Sequence, residues 1–506
     1  METAVIRKTG HRRECFRAVL FAAVLLGSVS TAAHADATDD LLQFLKDKGV
    51  MNEDELQTFK KRFEAERKTL QEQKDNGQAL QAAKDPNAMS GSFKNGVTWE
   101  SADKRTAIGL DGLIQLDYRN FSGPDRANAD TFDIRRGQLG IKGRFWDSFE
   151  FLVRGDFAGL QGSGATSSHL NQAWLNINFW KQAQLKLGQF KMPINLEERE
   201  SSRFLDFQEK SFVNNANLTP GRERGAMLWG VPYPGVTYGL ALSTGAGPNT
   251  NEADTQVDDF DIVGGANVNF AEILGNDKAV YHLGGAFSSG DIADSAAGSQ
   301  RTEGRGVTFF TPLAFNTGGD GLDRFRCSFE TALAHGPVKF VGEYAAVNFD
   351  GRSNTGIKID KDIDAYYLSA LWMLTGETYA RAYKDGIFGR LAPKSNFNPR
   401  QAGAWGAWEL GLRYSKFDAS DFTIFDSPAP AALAGTGLIQ NSATTAFANE
   451  ADAWTLGLKW IMNPNMRLLL NYVRTDFDTP VRLTSGGKTV IFDDEDTFTL
   501  RGQFDF

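Results

Sequence analysis

The chain has 506 residues, 63 acidic against 54 basic, with a formal net charge of −9 and 41% hydrophobic content. This acidic balance gives no sign of a nucleic-acid partner, and beyond the N terminus no window approaches the roughly 18 apolar residues of a membrane-crossing helix. Neither observation excludes a protein that crosses a membrane with strands, whose signal is alternation and not mean hydropathy.

Arg7, Lys8, Arg12, Arg13 and Arg17 precede an apolar run from Ala18 to Gly27, and Ala33-His34-Ala35 follows. The pattern predicts a cleaved secretory leader over residues 1–35, with an apolar part shorter than the ~20 residues a spanning helix needs. Removing its five basic and two acidic residues leaves the mature chain at −12. Cys15 leaves with the leader, so no disulfide framework is expected.

Residues 36–85 are charged and helical in pattern. LLQFLKDKGV closes near Gly49, Asn52 can cap a second helix with Glu55 three positions on, and Leu56, Phe59, Phe63 and Leu70 fall at heptad spacing. A short helical or coiled-coil periplasmic segment is expected, able to oligomerise or to reach toward peptidoglycan. A linker should follow over residues 86–99.

From about residue 100 the period changes to two and stays there to the end. In GLIQLDYRNF, Ile114, Leu116 and Tyr118 alternate with Gln115, Asp117 and Arg119. SFEFLVRGDF sets Phe149, Phe151, Val153 and Phe157 against Glu150, Arg154 and Asp156. AWLNINFW, AWELGLRYS, AWTLGLKW and MRLLLNYV repeat the theme. In the closing LRGQFDF, Leu500, Gly502, Phe504 and Phe506 share one face and Arg501, Gln503 and Asp505 the other.

Many segments polar on one face and apolar on the other predict an all-β fold, a transmembrane antiparallel β-barrel over residues 100–506. Tight connections such as His335-Gly336-Pro337 and Asn463-Pro464-Asn465 take turns with long acidic, Gly/Ala-rich ones, as periplasmic turns and external loops do. At roughly 25 residues per strand and connection the count is about 16 strands, wide enough for an aqueous channel. A closed barrel has no free edge, so its last strand must present an apolar face to lipid up to Phe506. An aromatic end on an alternating strand is also similar to the signal that outer-membrane assembly machinery reads.

The segments FDIRRGQLGIKGRF, FLVRGDFAG, LKLGQFKMPINLEERESSRFLDFQEKSFVNN, WMLTGETYARAY, GAWGAWELGLRYS and LGLKWIMNPNMRLLLNYVRTDF, in this order, carry a close resemblance to the phosphate-selective porin O and P family. It runs over nearly the whole mature chain, and the leading LLQFLKDKGVMNEDEL resembles that family's N-terminal helical segment. The resemblance implies a 16-stranded, homotrimeric outer-membrane channel in which loops fold inward and basic side chains draw phosphate or other small anions through. Its constriction motifs are matched here by Arg135, Arg136, Asp156 and Lys191, with Arg203 and Lys210 in the adjoining loop.

Strand parity gives a charge reading of its own. With the apolar face toward lipid, the inward basic residues are Arg119, Arg136, Lys142, Arg144, Arg154, Lys186, Arg324, Arg326, Lys339, Arg413, Lys459, Arg467 and Arg501. The inward acids are fewer: Asp117, Glu150, Asp156, Glu330, Glu343, Glu409 and Asp505. The lumen is therefore expected to be net basic inside an acidic chain. Parity gives Arg136, Lys142, Arg144, Arg154 and Asp156 of the expected anion-binding, pore-lining set, and the resemblance implies Arg135, Lys191, Arg203 and Lys210 in addition. Glu197, Glu198, Glu200, Asp206 and Glu209 in the same loop leave a general diffusion pore with opposed charges as the alternative. An envelope-spacing protein that uses the barrel as anchor is another.

Other chemistry finds little support. His169, His282 and His335 stand in no metal-ligand spacing, and no nucleophile constellation is present, so no catalytic residue, metal or cofactor is expected. The acidic run Asp493-Asp494-Glu495-Asp496 reads as solvated loop.

Overall fold

The computed structural model describes residues 88–93, 96–122, 130–158, 169–214, 218–249, 260–295, 297–426, 433, 435–485 and 488–506. The expected leader, 1–35, and helical segment, 36–85, lie outside them. In chain order the strands are β1 (Met89–Phe93), β2 (Val97–Ser101), β3 (Ala107–Ser122), β4 (Thr131–Phe145), β5 (Phe149–Asp156), β6 (His169–Trp180), β7 (Ala183–Lys191), β8 (Arg222–Tyr233), β9 (Val236–Ser243), β10 (Asp261–Asn269) and β11 (Ala279–Ile292). They continue as β12 (Gln300–Arg301), β13 (Thr308–Phe310), β14 (Leu322–His335), β15 (Val338–Arg352), β16 (Lys358–Met373), β17 (Tyr383–Lys384), β18 (Ile387–Phe388), β19 (Ala407–Asp418), β20 (Ile424–Asp426), β21 (Ile439–Asn441), β22 (Glu450–Asn463), β23 (Met466–Ser485) and β24 (Lys488–Asp505).

Sixteen of them, β3–β11, β14–β16, β19 and β22–β24, pair antiparallel in sequence order and close into a barrel. The closure is β24 on β3, with Leu500 opposite Tyr118 and Phe504 opposite Ile114. Phe506 and Gly112 complete it by exchanging backbone bonds of 3.0 and 2.9 Å. Gly112 is required there, because a Cβ would stand 2.1 Å from the Phe506 ring. Closure leaves no barrel edge to be satisfied by water, which the hydrocarbon phase demands. Among the described residues no helix is long and apolar enough to cross a membrane.

The alternation sorts as a barrel in lipid requires. Ile114, Leu116, Leu410, Leu412, Phe498, Leu500 and Phe504 stand exposed on the outside, while Gln115, Asp117, Arg413, Thr499, Arg501 and Asp505 are buried within. Two stretches differ from expectation. Within 86–99, β1 and β2 form a hairpin, and β2 adds to the start of β3 through Trp99–Ile108 pairing. The acidic run 493–496 lies in extended β24, not in a loop: Asp494 and Asp496 take Arg474 of β23, and buried Glu495 accepts from Val307.

Short connections gather at the end of the barrel where Gly336 and Pro337, and Pro464 and Asn465, make their turns. Residues 374–406, between β16 and β19, are the long exception at that end. From the opposite end, residues 192–214 and 218–221 fold into the lumen: Leu196, Phe207, Phe212 and Leu218 are buried, and Glu197 N–H donates to Glu343 on β15 at 2.8 Å. Residues 297–321 also fold inward, bringing Phe309, Phe310 and Phe315 into one apolar core with Phe349, Phe417 and Phe422.

Candidate functional site

The candidate site begins with a departure from alternation in β4. Gln115 of β3 pairs with Arg136 while Leu116 pairs with Ile134, which makes Arg135 the extra residue of a β-bulge. Phe132 and Ile134 are exposed on the outer face before the bulge, and Leu139 and Ile141 after it. The phase therefore slips by one, and consecutive arginines both face inward, where strict parity admits only one.

Each then finds a different partner. Arg135 forks onto Glu209 of the inward loop, 2.8 Å from Nε to Oε1 and 3.1 Å from Nη2 to Oε2. Arg501 of β24 reaches the same carboxylate at 2.6 Å and Asp117 at 2.7 Å. Burial pushes the Glu209 carboxyl up, but Arg135 and Arg501 outweigh it and hold the group well below the usual carboxylate range. Arg136 donates to Gln115 Oε1 at 2.7 Å.

The inward loop crosses the barrel on such contacts. Gln115 Nε2 donates to Ser202 O at 3.1 Å, Gln503 Nε2 to Arg203 O at 2.9 Å, and Lys339 Nζ to Asp206 at 2.6 Å. Lys191, at the end of β7, donates to the carbonyls of Glu198 and Glu200 and so ties the loop back to its own strand. Lys210 pairs with Glu198. Burial raises the Glu198 carboxyl, but Lys210 and Lys191 outweigh it and leave it lowered.

What the loop leaves open is a cavity of about 660 Å³. Of the expected residues, Lys142, Arg154, Lys191 and Arg203 line it, and they are joined by Lys186, Arg199, Arg222, Lys384 and Arg390. Against these nine cations stand, among the described residues, the side-chain carboxylates of Asp111, Glu330 and Asp385. Asp111 alone gathers three of the cations: Arg203 at 3.0 Å, Lys142 at 3.9 Å, and Arg154 in direct contact. Arg135, Arg136, Asp156 and Lys210 do not line the cavity. Asp156 accepts from Gln138 Nε2 at 2.9 Å and from the backbone of Gly137 and Ala158. Arg144 stands apart: it donates to Lys104 O at 2.7 Å and lies 3.5 Å from Glu100 at the short-turn end.

Sequence reasoning missed Asp111, Arg199, Arg222, Lys384 and Arg390. Asp111 was within reach, since it continues the inward parity of Gln115 and Asp117. Lys384 and Arg390 sit in the 374–406 connector, where no periodicity announces an inward path. That connector enters from the short-turn end and meets the loop: Phe388 N–H donates to Glu200 Oε1 at 3.1 Å, and Arg199 donates to Gly386 O at 3.1 Å.

Residues 108–506 match the sequence model of the phosphate-selective porin O and P family. The chain belongs to that family. As a phosphate-selective porin O and P family member it is an outer-membrane β-barrel porin of a Gram-negative cell, so the short turns face the periplasm and the long loops the outside. Solved structures similar to this porin include OmpT of Vibrio cholerae in its trimer form, at 13% identity over 79% of this chain and 99% of that one, with a TM-score of 0.45. Salmonella typhi OmpF in complex with daunomycin is 12% identical over 82% and 100%, TM-score 0.44, and opdK of Pseudomonas aeruginosa 12% over 79% and 98%, TM-score 0.36. No curated protein sequence matches this porin.

Proposed function

We propose that the porin is a passive channel preferring anions, with phosphate or related oxyanions as cargo, and that its lumen is a conduit without a catalytic site. The observation that carries this reading is the surplus of nine cations over three carboxylates around the cavity. An anion entering a constriction loses part of its water, and donors on the wall replace those bonds while spreading the attraction over several sites, so that the ion can leave. Arg154 and Arg203 supply planar forks suited to oxyanions, and Lys142 and Lys191 compact charges. The bulge at Arg135 and Arg136 adds positive potential beside the cavity, partly neutralised by Glu209.

In a planar bilayer under a KCl gradient the reversal potential should have the anion-selective sign, and added phosphate should reduce the chloride current. Arg136→Gln and Lys191→Gln should weaken both effects, because lumen substitutions tune selectivity without touching the lipid face. A cation-selective potential overturns the anion reading. Anion selectivity without phosphate block supports instead a general diffusion porin, a reading favoured by the opposed charges of Arg135 with Glu209 and Lys210 with Glu198. The proposal also takes the channel to be a homotrimer, anchored toward peptidoglycan through residues 36–85 and delivered by assembly machinery that reads Phe506. Deleting Phe506 should then lower the amount inserted while leaving single-channel conductance unchanged, whereas normal insertion would remove that role.

A further inference from the structure

The wall of the cavity is divided in kind. Strands β3–β5 bring Asp111, Lys142 and Arg154, an arc of charge. The adjacent strands β6–β8 bring cations too, Lys186, Lys191 and Arg222, but add the apolar surface of Trp174, Phe190, Met227 and Trp229. Two tryptophans facing a porin lumen are unexpected, because aromatic residues of such barrels belong to the girdles at the lipid interfaces, outside. Their parity leaves no doubt about direction: Leu175 and Leu228, next to each in sequence, are exposed on the outer face.

Both rings are fixed. Trp229 Nε1 donates to Asn176 Oδ1 at 2.9 Å and Trp174 Nε1 to Gln172 Oε1 at 3.1 Å. Between them stands Lys186, its Nζ 4.6 Å from the Trp229 ring centre, 4.8 Å from that of Trp174 and 5.9 Å from that of Phe190. An ammonium held against ring faces, in the wall of a cavity, presents charge and apolar surface side by side. At about 660 Å³ the space falls within the ~300–1,000 Å³ of sites that bind organic ligands. A bare phosphate uses little of it and gains nothing from the rings.

We propose that this wall is a subsite for small anions carrying an aromatic ring, with the charged group drawn to Lys186 and Arg154 and the ring seated against Trp174 and Trp229. The inference rests on the anion reading of the channel and narrows its substrate class to aryl phosphates and aryl carboxylates. The subsite slows passage without trapping the solute, since a ring contact is worth only ~0.5–1.5 kcal/mol.

The test compares two phosphate monoesters of the same charge as blockers of chloride current through the full chain in a planar bilayer. Phenyl phosphate should half-block at a concentration about tenfold below that of methyl phosphate, the effect of one ring contact. In Trp174→Leu/Trp229→Leu the two half-blocking concentrations should converge. Equal values in the unaltered chain overturn the subsite, and this comparison decides the matter alone should the double variant fail to insert. A persistent preference for phenyl phosphate in an inserted double variant overturns it too. If chloride is selected and both esters block equally, only the subsite fails; a cation-selective reversal potential overturns the subsite and the anion reading together.

Discussion

The barrel interior is two unlike halves built on one strand parity. Around β14–β16, β19 and β22–β23 the inward positions include Ala332, Val341, Val347, Phe349, Ile363, Phe417, Ala453 and Phe477, and the inward segments pack onto them as an apolar core. Around β3–β9 the inward positions include Asp111, Arg154, Gln172, Lys186 and Trp229, with a smaller apolar cluster at Phe190, Met227 and Ala241, and there the cavity remains. The filled half behaves like the inside of a soluble domain, close-packed and intolerant of lost volume. The inward loop is part of that core through Leu196, Phe212, Val213 and Leu218, and the space left beside it is the cavity of the open half. The difference teaches that the open space of this barrel is set by what fills it as much as by what lines it.

The sharpest way to break this comparison is on the filled side. Phe309 sits with ring centres 5.7 Å from Phe212, 5.6 Å from Phe417 and 5.4 Å from Phe477. Phe309→Ala should cost about 3–5 kcal/mol, as large-to-small changes in packed cores do, read as a lower unfolding midpoint by heat modifiability on gels. Its reversal potential should stay that of the unaltered chain. A changed selectivity with unchanged stability would mean that the two halves are not separable.

The closed sheet, its strand number and the outer face were legible in the sequence because lipid imposes them on every strand, as Leu410 and Leu412 against Arg413 illustrate. The filled half was not legible. Val347 and Phe349 are apolar and face inward because segments distant in sequence cover them, and alternation cannot report what covers a residue. The bulge at Arg135 escaped for a similar reason, since one extra residue changes pairing register and not composition. Parity did find Lys142, Arg154 and Lys186, which keep the inward phase of their strands even though the β5–β6 register shifts just after Arg154.

At the seam between the halves, Pro193 begins the inward loop on two glycines of adjacent strands. A Cβ on Gly265 would lie 1.9 Å from Pro193 O, and one on Gly239 2.7 Å from Pro193 Cβ. Gly265→Ala must therefore displace the loop, at about 1–3 kcal/mol by analogy with overpacked cores. Single-channel conductance should change with it, and an unaltered value would show that the loop does not set the narrow part. On the open side Arg154→Gln should act less on the fold, because Asp111 keeps Arg203 at 3.0 Å. The anion-to-cation permeability ratio should nonetheless fall, by less than about tenfold or ~1.4 kcal/mol. No change in that ratio would remove Arg154 from the conducting surface.

The smallest expected effect lies where loop and periplasmic connector touch. Burial pushes the Glu200 carboxyl up to about 8; Lys339 opposes the shift and Asp206 adds to it. A carboxyl raised from its usual 4.5 to about 8 is held protonated at neutral pH, so the folded state loses this contribution as pH climbs through that window. The charge that appears above pH 8 is negative and sits one residue from Arg199 of the cavity wall. The anion-to-cation permeability ratio should therefore decline between pH 7 and pH 9 by no more than about twofold, a distant charge at high effective dielectric being worth well under ~1 kcal/mol. Glu200→Gln keeps an amide oxygen for the Phe388 N–H, which now donates to Glu200 Oε1 at 3.1 Å, but cannot ionise. Its ratio should be flat over the same interval. An equal decline in Glu200→Gln would trace the effect to the lysines of the open half, and the contact between loop and connector would then be packing alone.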